Sequence, residues 1–328
     1  MGHRARRRRA ALSAALVAVT LTASLTAGCT RNRPPDDART PHRPTAPTSP
    51  DTLASAAGSP LAVKIDNVSA ARPQTGLGAA DIVYAEQVEG GLSRLMAVYA
   101  GSLPKAVGPV RSARESDLEL LRQFDEPTLA FSGAQRALLP LFRQAPLHAE
   151  SPDEAVGAYY RAPGRAAPHN LYVRPARLLA TAPGRAALTT GFHYGPAPSG
   201  GTPETSRTVR YPAARFTFTW SAQRGGWLVS MDGTPTTTTD GGRPAPPTVV
   251  VQYVKVRSSG YHDVLGNRTP YTETVGSGKA EVLRDGRSFD ATWSRPSAAG
   301  GTAFTAADGG RMNFAEGQVW VVFAAASS

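Results

Sequence analysis

Cysteine is nearly absent. Cys29 is the single thiol in 328 residues, which excludes an internal disulfide framework and any paired-cysteine redox or metal motif. Lysine is scarce as well, present only at Lys64, Lys105, Lys255 and Lys279, so arginine carries the basicity. No basic run is interleaved with aromatic residues, which argues against nucleic acid as a partner. There is no Gly-x-Ser-x-Gly elbow and no phosphate loop. His148, His169, His193 and His262 form no close pair at metal-ligand spacing. The group His148-Ala149-Glu150 with Asp153 reads as a solvated acidic loop. No cofactor, metal or catalytic residue is therefore assigned.

What is present begins with an export signal. Arg4 and Arg6 to Arg9 form a basic segment, Ala10 to Ala27 an apolar one rich in small residues, and Cys29 follows Ala27-Gly28. Leu25-Thr26-Ala27-Gly28-Cys29 is similar to a bacterial lipobox, with Thr26 where leucine is usual. Residues 1–28 are thus expected to be a lipoprotein signal peptide. Cys29 is expected to be lipidated and to hold the protein to the membrane at the outer face of the cytoplasmic membrane. Removing the five leader arginines lowers the formal net charge from +11 to +6.

Residues 29–59 are rich in Pro, Thr, Ser, Asp and Arg and poor in large apolar residues, a composition that cannot offset chain entropy by burial. They are expected to form a disordered tether reaching up to about 90 Å if extended. A globular part follows, with a composition shift near Gly195 to Ser206 dividing it into residues 60–195 and 206–327.

In the first part, Leu61–Asp66, Asp81–Val88, Leu92–Tyr99 and Thr128–Ser132 have strand character. Helices are expected from Ala113 and over Ala134–Phe142, Ala155–Arg161 and Tyr172–Thr181. The second part reads as strands separated by Asp-Gly turns, as at Asp232-Gly233 and Asp285-Gly286. The fold class expected is α+β, with a mixed sheet flanked by helices in the first domain and a mostly antiparallel β second domain.

Ionisable residues concentrate in the stretch from Leu61 to Arg114. If Glu89-Gly90-Gly91 is a three-residue hairpin loop, Glu86 faces Arg94 and Tyr84 faces Met96 on an otherwise apolar face. A two-residue Gly90-Gly91 turn leaves both charges without opposite partners. The Glu86 and Arg94 pair reads either as a structural salt bridge within a sheet or as the lining of a ligand cleft. Next, Ser112 followed by Glu115 forms a capping box for a helix starting at Ala113. Arg111 and Arg114 then sit where a helix end already carries partial positive charge. A negative group is required nearby, either internal (Glu115, Asp117 or Glu89) or an anionic ligand held by forked guanidinium groups.

The segments Lys64-Ile65-Asp66-Asn67, Ala71-Arg72-Pro73-Gln74-Thr75-Gly76-Leu77, Ala80-Asp81-Ile82-Val83-Tyr84, Glu89-Gly90-Gly91-Leu92-Ser93-Arg94 and Gly108-Pro109-Val110-Arg111-Ser112-Ala113-Arg114 resemble the YerB-like bacterial lipoprotein family. This is a domain of unknown function with amino-terminal and carboxy-terminal halves. Thr248-Val249-Val250-Val251-Gln252 and Gly317-Gln318-Val319-Trp320-Val321 are similar to its second half. The family has an acid directly after the strand tyrosine, where this chain has Ala85 and then Glu86. The resemblance implies an exported, two-part lipoprotein and supplies no reaction.

The residues themselves point to a binding or accessory module that grips an anionic cell-wall component through Arg72, Arg94, Arg111 and Arg114. Asp66, Glu86 and Glu89 would orient the guanidinium groups, and His169 beside Asn170 lies in the same candidate set. Two alternatives stand beside it. One is an envelope hydrolase or transferase using Asp66, Glu86 or His169, and the other a scaffold binding another envelope protein.

Overall fold

The computed structural model describes residues 58–263 and 265–327. The expected leader, Cys29 and all but the last two residues of the expected tether lie outside the described residues.

Five strands come from the first part of the chain: β1 (Leu61–Asp66), β2 (Ile82–Gln87), β3 (Ser93–Tyr99), β4 (Thr128–Ala130) and β5 (His148–Glu150). A small ribbon, β6 (Tyr159–Arg161) and β7 (Leu171–Val173), comes next. The second part supplies β8 (Thr202–Pro203), β9 (Ser206–Arg210), β10 (Arg215–Ser221), β11 (Gly226–Met231) and β12 (Thr234–Pro235). It continues with β13 (Thr248–Val254), β14 (Val256–His262), β15 (Arg268–Thr272) and β16 (Gly276–Arg284). The last strands are β17 (Arg287–Arg295), β18 (Ala303–Ala306) and β19 (Val319–Ala325). Two short helices, α1 (Glu115–Leu121) and α2 (Leu139–Gln144), are the only α-helices among the described residues.

Strands from both parts enter one 11-stranded sheet in the order β18-β17-β16-β13-β19-β2-β3-β1-β4-β5, with β8 beside β17. The junction is β19, which runs parallel to β13 on one side and to β2 on the other. Every residue of β1 and β3 is buried, as their nearly continuous apolar composition requires of strands covered on both faces. The inner strands are rich in Val, Ile and aromatic residues, which fit a pleated surface packed on each side. Turn chemistry sets the local pairings. Asp285 and Gly286, at φ 53° and 70°, join β16 to β17 with Leu283 opposite Ser288; positive φ at both central residues is what a two-residue hairpin demands.

One face of the large sheet, carrying Val63, Ile65, Val83, Leu95 and Trp320, packs against Phe216, Phe218, Trp227 and Val229 of the four-stranded sheet β12-β11-β10-β9. The opposite face, with Ala62, Ile82, Tyr84, Met96 and Val98, is covered by Leu120, Leu121 and Phe124 beside α1 and by Phe142 of α2. The molecule is therefore mostly β, and the expected helix-flanked α+β domain is corrected. Ala155–Arg161 turns at Gly157 (φ 85°) and ends as β6. Tyr172–Thr181 opens in β7, and from Pro175 the chain makes only a short 3₁₀ turn. In the second expected helix region, Ala134–Phe142, the chain is α-helical only from Leu139, and that helix runs on to Gln144. His148–Glu150, expected as a loop, is the edge strand beside β4. The physical reason is coverage: a second sheet, rather than helices, buries one face, and glycine and proline interrupt the apolar periodicity before helices can lengthen.

Trp320 is fully buried at the joint between the two halves, edge-on to both Phe216 and Phe218. Trp320→Ala is expected to lower stability by roughly 3 to 5 kcal/mol. In urea denaturation, probes in both halves should shift together in one transition, and separate transitions would contradict a shared sheet.

Candidate functional site

The hairpin between β2 and β3 adopts the three-residue register, with Glu86 opposite Arg94 and Tyr84 opposite Met96. Gly90 and Gly91 take φ of 67° and 70° in its loop. Arg94 is also opposite Asp66 on β1, so Asp66, Arg94 and Glu86 form a row across three strands on one face of the sheet. The row breaks the ion pair expected from the hairpin alone. Glu86 accepts instead from Lys64, which lies two residues before Asp66 on the same face and bonds Asp117 of α1 at 2.7 Å. Lys64 and Asp117 are fully sealed and Glu86 nearly so. Burial pushes the Lys64 ammonium down to about 8, against the pull of Asp117.

Arg94 is left with one side-chain hydrogen bond, Nη1 to the Ser112 carbonyl at 3.0 Å. Among the described residues it makes no ion pair, yet it is only 8% exposed. Burial pushes it down to about 9, with Arg114 and Arg111 adding like charge and Glu89 and Asp66 opposing. Its two neighbours are better satisfied. Arg114 grips Glu89 with Nε at 2.5 Å and Nη2 at 2.8 Å, and Thr269 of β15 donates to the same carboxylate at 2.6 Å. Arg111 Nε lies 3.2 Å from Asp66 Oδ2, which also meets His169 Nδ1 at 2.8 Å. The loop carrying Arg111 is aligned by β1 itself: Asp66 N–H donates to the Pro109 carbonyl and Arg111 N–H to that of Lys64, each at 2.8 Å.

Asp66, Glu89, Arg94, Arg111 and Arg114 line one cavity of about 400 Å³ together with Val88, Leu92, Leu138 and the tip of the β14–β15 hairpin at His262, Asp263 and Leu265. The hairpin is docked by Glu119 of α1, whose carboxylate accepts from Tyr271 at 2.9 Å and from the Thr274 and Val275 N–H groups at 2.7 and 3.0 Å. A volume of this size suits a small ligand.

The other candidates lie elsewhere. Arg72 bonds the Asn67 carbonyl at 2.5 Å and Asp232 at 2.8 Å, a clamp between the large sheet and the β11–β12 turn rather than part of the cavity. Glu86 is sealed against Lys64, and His169 backs Asp66 from outside the cavity lining. The expected Ser112 cap is corrected. Helix α1 begins at Glu115, and Asp117 accepts the Arg114 N–H at 2.7 Å. The Ser112 hydroxyl meets Ser132 at 3.3 Å, while its carbonyl serves Arg94. Lys64, Thr269 and the β14–β15 hairpin are parts of the charged cluster and cavity that sequence reasoning misses. Lys64 is the one of these with a signal, a lone lysine alternating with apolar residues in a strand.

Two family models match the chain, the N-terminal domain of a protein of unknown function (DUF3048) over residues 47–192 and its C-terminal domain over residues 207–321. The chain belongs to this family. A curated relative, Putative lipoprotein YerB of Bacillus subtilis (strain 168), is 36% identical over 113 residues. That match covers 34% of this chain and about a third (34%) of the relative. The crystal structure of YerB protein from Bacillus subtilis aligns at a TM-score of 0.67 and 22% identity, covering 81% of this chain and 90% of that one, and so shows the same fold. The YerB-like resemblance thus holds for both halves of the family. No described helix is long and apolar enough to cross a membrane.

Burial alone would raise the Glu89 carboxyl, but the Arg114 fork and Thr269 outweigh it and hold it below the usual range. A depressed folded pKa contributes stability above the unfolded value that is lost as pH falls through the folded one. Arg114→Gln should therefore cost about 2 kcal/mol at pH 7. The difference from wild type should shrink as the pH is lowered through the carboxylate range, as read from urea midpoints across that range.

Proposed function

We propose that the chain is an exported protein, anchored through lipidated Cys29 to the outer face of the cytoplasmic membrane, that binds an anionic cell-wall component in the cavity around Arg94. The observation that carries this is the guanidinium of Arg94: 8% exposed, lining the cavity, and given one carbonyl as partner. A buried cation with unused donors is costly unless an anion meets it in its working state. Arg111 adds a second guanidinium, 27% exposed at the side chain, with Nε 3.2 Å from Asp66. The relative's name as a lipoprotein supports the anchoring, as does the Cys29 motif. The net charge of the chain without its leader favours approach to anionic polymers.

Two measurements test this. Retention on purified wall material is expected to fall about tenfold or more in Arg94→Gln, Arg111→Gln with thermal unfolding still cooperative; equal retention by wild type and the double variant counts against the assignment. Separately, full-length Cys29→Ser is expected to leave the membrane fraction that holds the wild type, and continued sedimentation with membranes would remove the lipid anchor.

A further inference from the structure

The ligand's charge and shape can be read from the same cavity, granting that it binds an anion at all. Arg111 already faces Asp66, and Arg114 is occupied by Glu89. Behind them Lys64 serves two carboxylates, Glu86 and Asp117. Asp263 adds a carboxylate at the hairpin tip. Arg94 is therefore the one guanidinium of the cavity with no carboxylate partner among the described residues, and acids stand on several sides of it. One negative charge is welcome beside Arg94; a second would meet Asp66 and Glu89.

Geometry narrows the class further. Arg114 holds Glu89 through its Nε and Nη2 edge, a side-on fork matched to two carboxylate oxygens. Arg94 spends Nη1 on the Ser112 carbonyl, so the same Nε and Nη2 edge has no protein partner. Neither nitrogen is among the solvent-sealed unpaired atoms, and Arg94 lines the cavity. Beside it lie Val88, Leu92, Leu138 and Leu265, the last 82% exposed at the mouth. Apolar side chains next to a single fork suit a carboxylate borne on a small apolar residue, and about 400 Å³ holds more than one such residue.

We infer that the cavity around Arg94 takes the terminal carboxylate of a short apolar peptide, held side-on by Arg94 with its side chains against Leu92, Leu138 and Leu265.

Calorimetric titration of the detergent-solubilised full chain tests this with four probes: acetyl-Ala-Ala, its carboxy-terminal amide, glycerophosphoglycerol as a phosphodiester, and inorganic phosphate. The free acid is expected to bind at least about tenfold more tightly than each of the others. Arg94→Gln should remove that preference, and Leu265→Glu, at an exposed position that leaves the fold intact, should weaken the free acid severalfold. Equal affinity for acid and amide overturns the inference. If the phosphodiester or phosphate binds as tightly as the acid and loses its binding in Arg94→Gln, the carboxylate assignment falls while the anion site stands. If no probe binds, the carboxylate assignment falls, and if wall retention is also insensitive to Arg94→Gln the anion site falls with it.

Discussion

Withdrawing a guanidinium from water beside two others is unfavourable, and a single carbonyl does not offset it. In this protein Arg94 occupies that position because the sheet leaves it nowhere else to go. Its strand is hydrogen-bonded on both sides, its side chain faces the helix-covered layer, and the acid opposite on β2 is taken by Lys64. The remainder of the site is arranged around that constraint. Asp66 orients Arg111, Glu89 fixes Arg114, and the Ser112 carbonyl holds one nitrogen of Arg94, leaving its Nε and Nη2 without a protein partner. Electrostatic preorganisation of this kind would set the orientation of the anion proposed for the cavity.

The second half of the chain contributes more than mass. Its β14–β15 hairpin places Thr269 on Glu89 and closes one side of the cavity, while Arg72 ties the end of β1 to the β11–β12 turn through Asp232. Removing the Thr269 contact would loosen Glu89, the carboxylate that holds Arg114. The two parts that the family models match thus share one sheet, and both line the cavity.

What sequence discloses here depends on the range of the interactions. The β2–β3 register is legible because it is set within a few residues, by Gly90 and Gly91 at positive φ and by matching apolar faces. The Asp-Gly turns of the second half are legible for the same reason. Glu86 shows the limit. Its local partner by register is Arg94, yet Lys64 claims it, and nothing in the hairpin reveals that β1 lies on the far side of β3. Ser112 fails in a related way: its cap motif is genuine as a pattern, but Asp117 caps the helix from within once Arg114 is drawn to Glu89. The segments Ala155–Arg161 and Tyr172–Thr181 are amphipathic enough to suggest helices, and Gly157, Pro175 and pairing with neighbouring strands end them. Five of the eight candidate residues meet at the cavity; Arg72, Glu86 and His169 hold its surroundings.

The placement of β19 has a bearing on how the molecule is made. Ile82 and its strand are finished early in synthesis, but the partner on their outer side begins at Val319. Until that partner emerges, an apolar strand in the middle of the future sheet presents unpaired N–H and C=O groups to whatever is near. Such non-local pairing slows folding and lengthens exposure to wrong neighbours. A chain arranged in this way gains from being kept unfolded, by a chaperone or a transport channel, until its last strand is released.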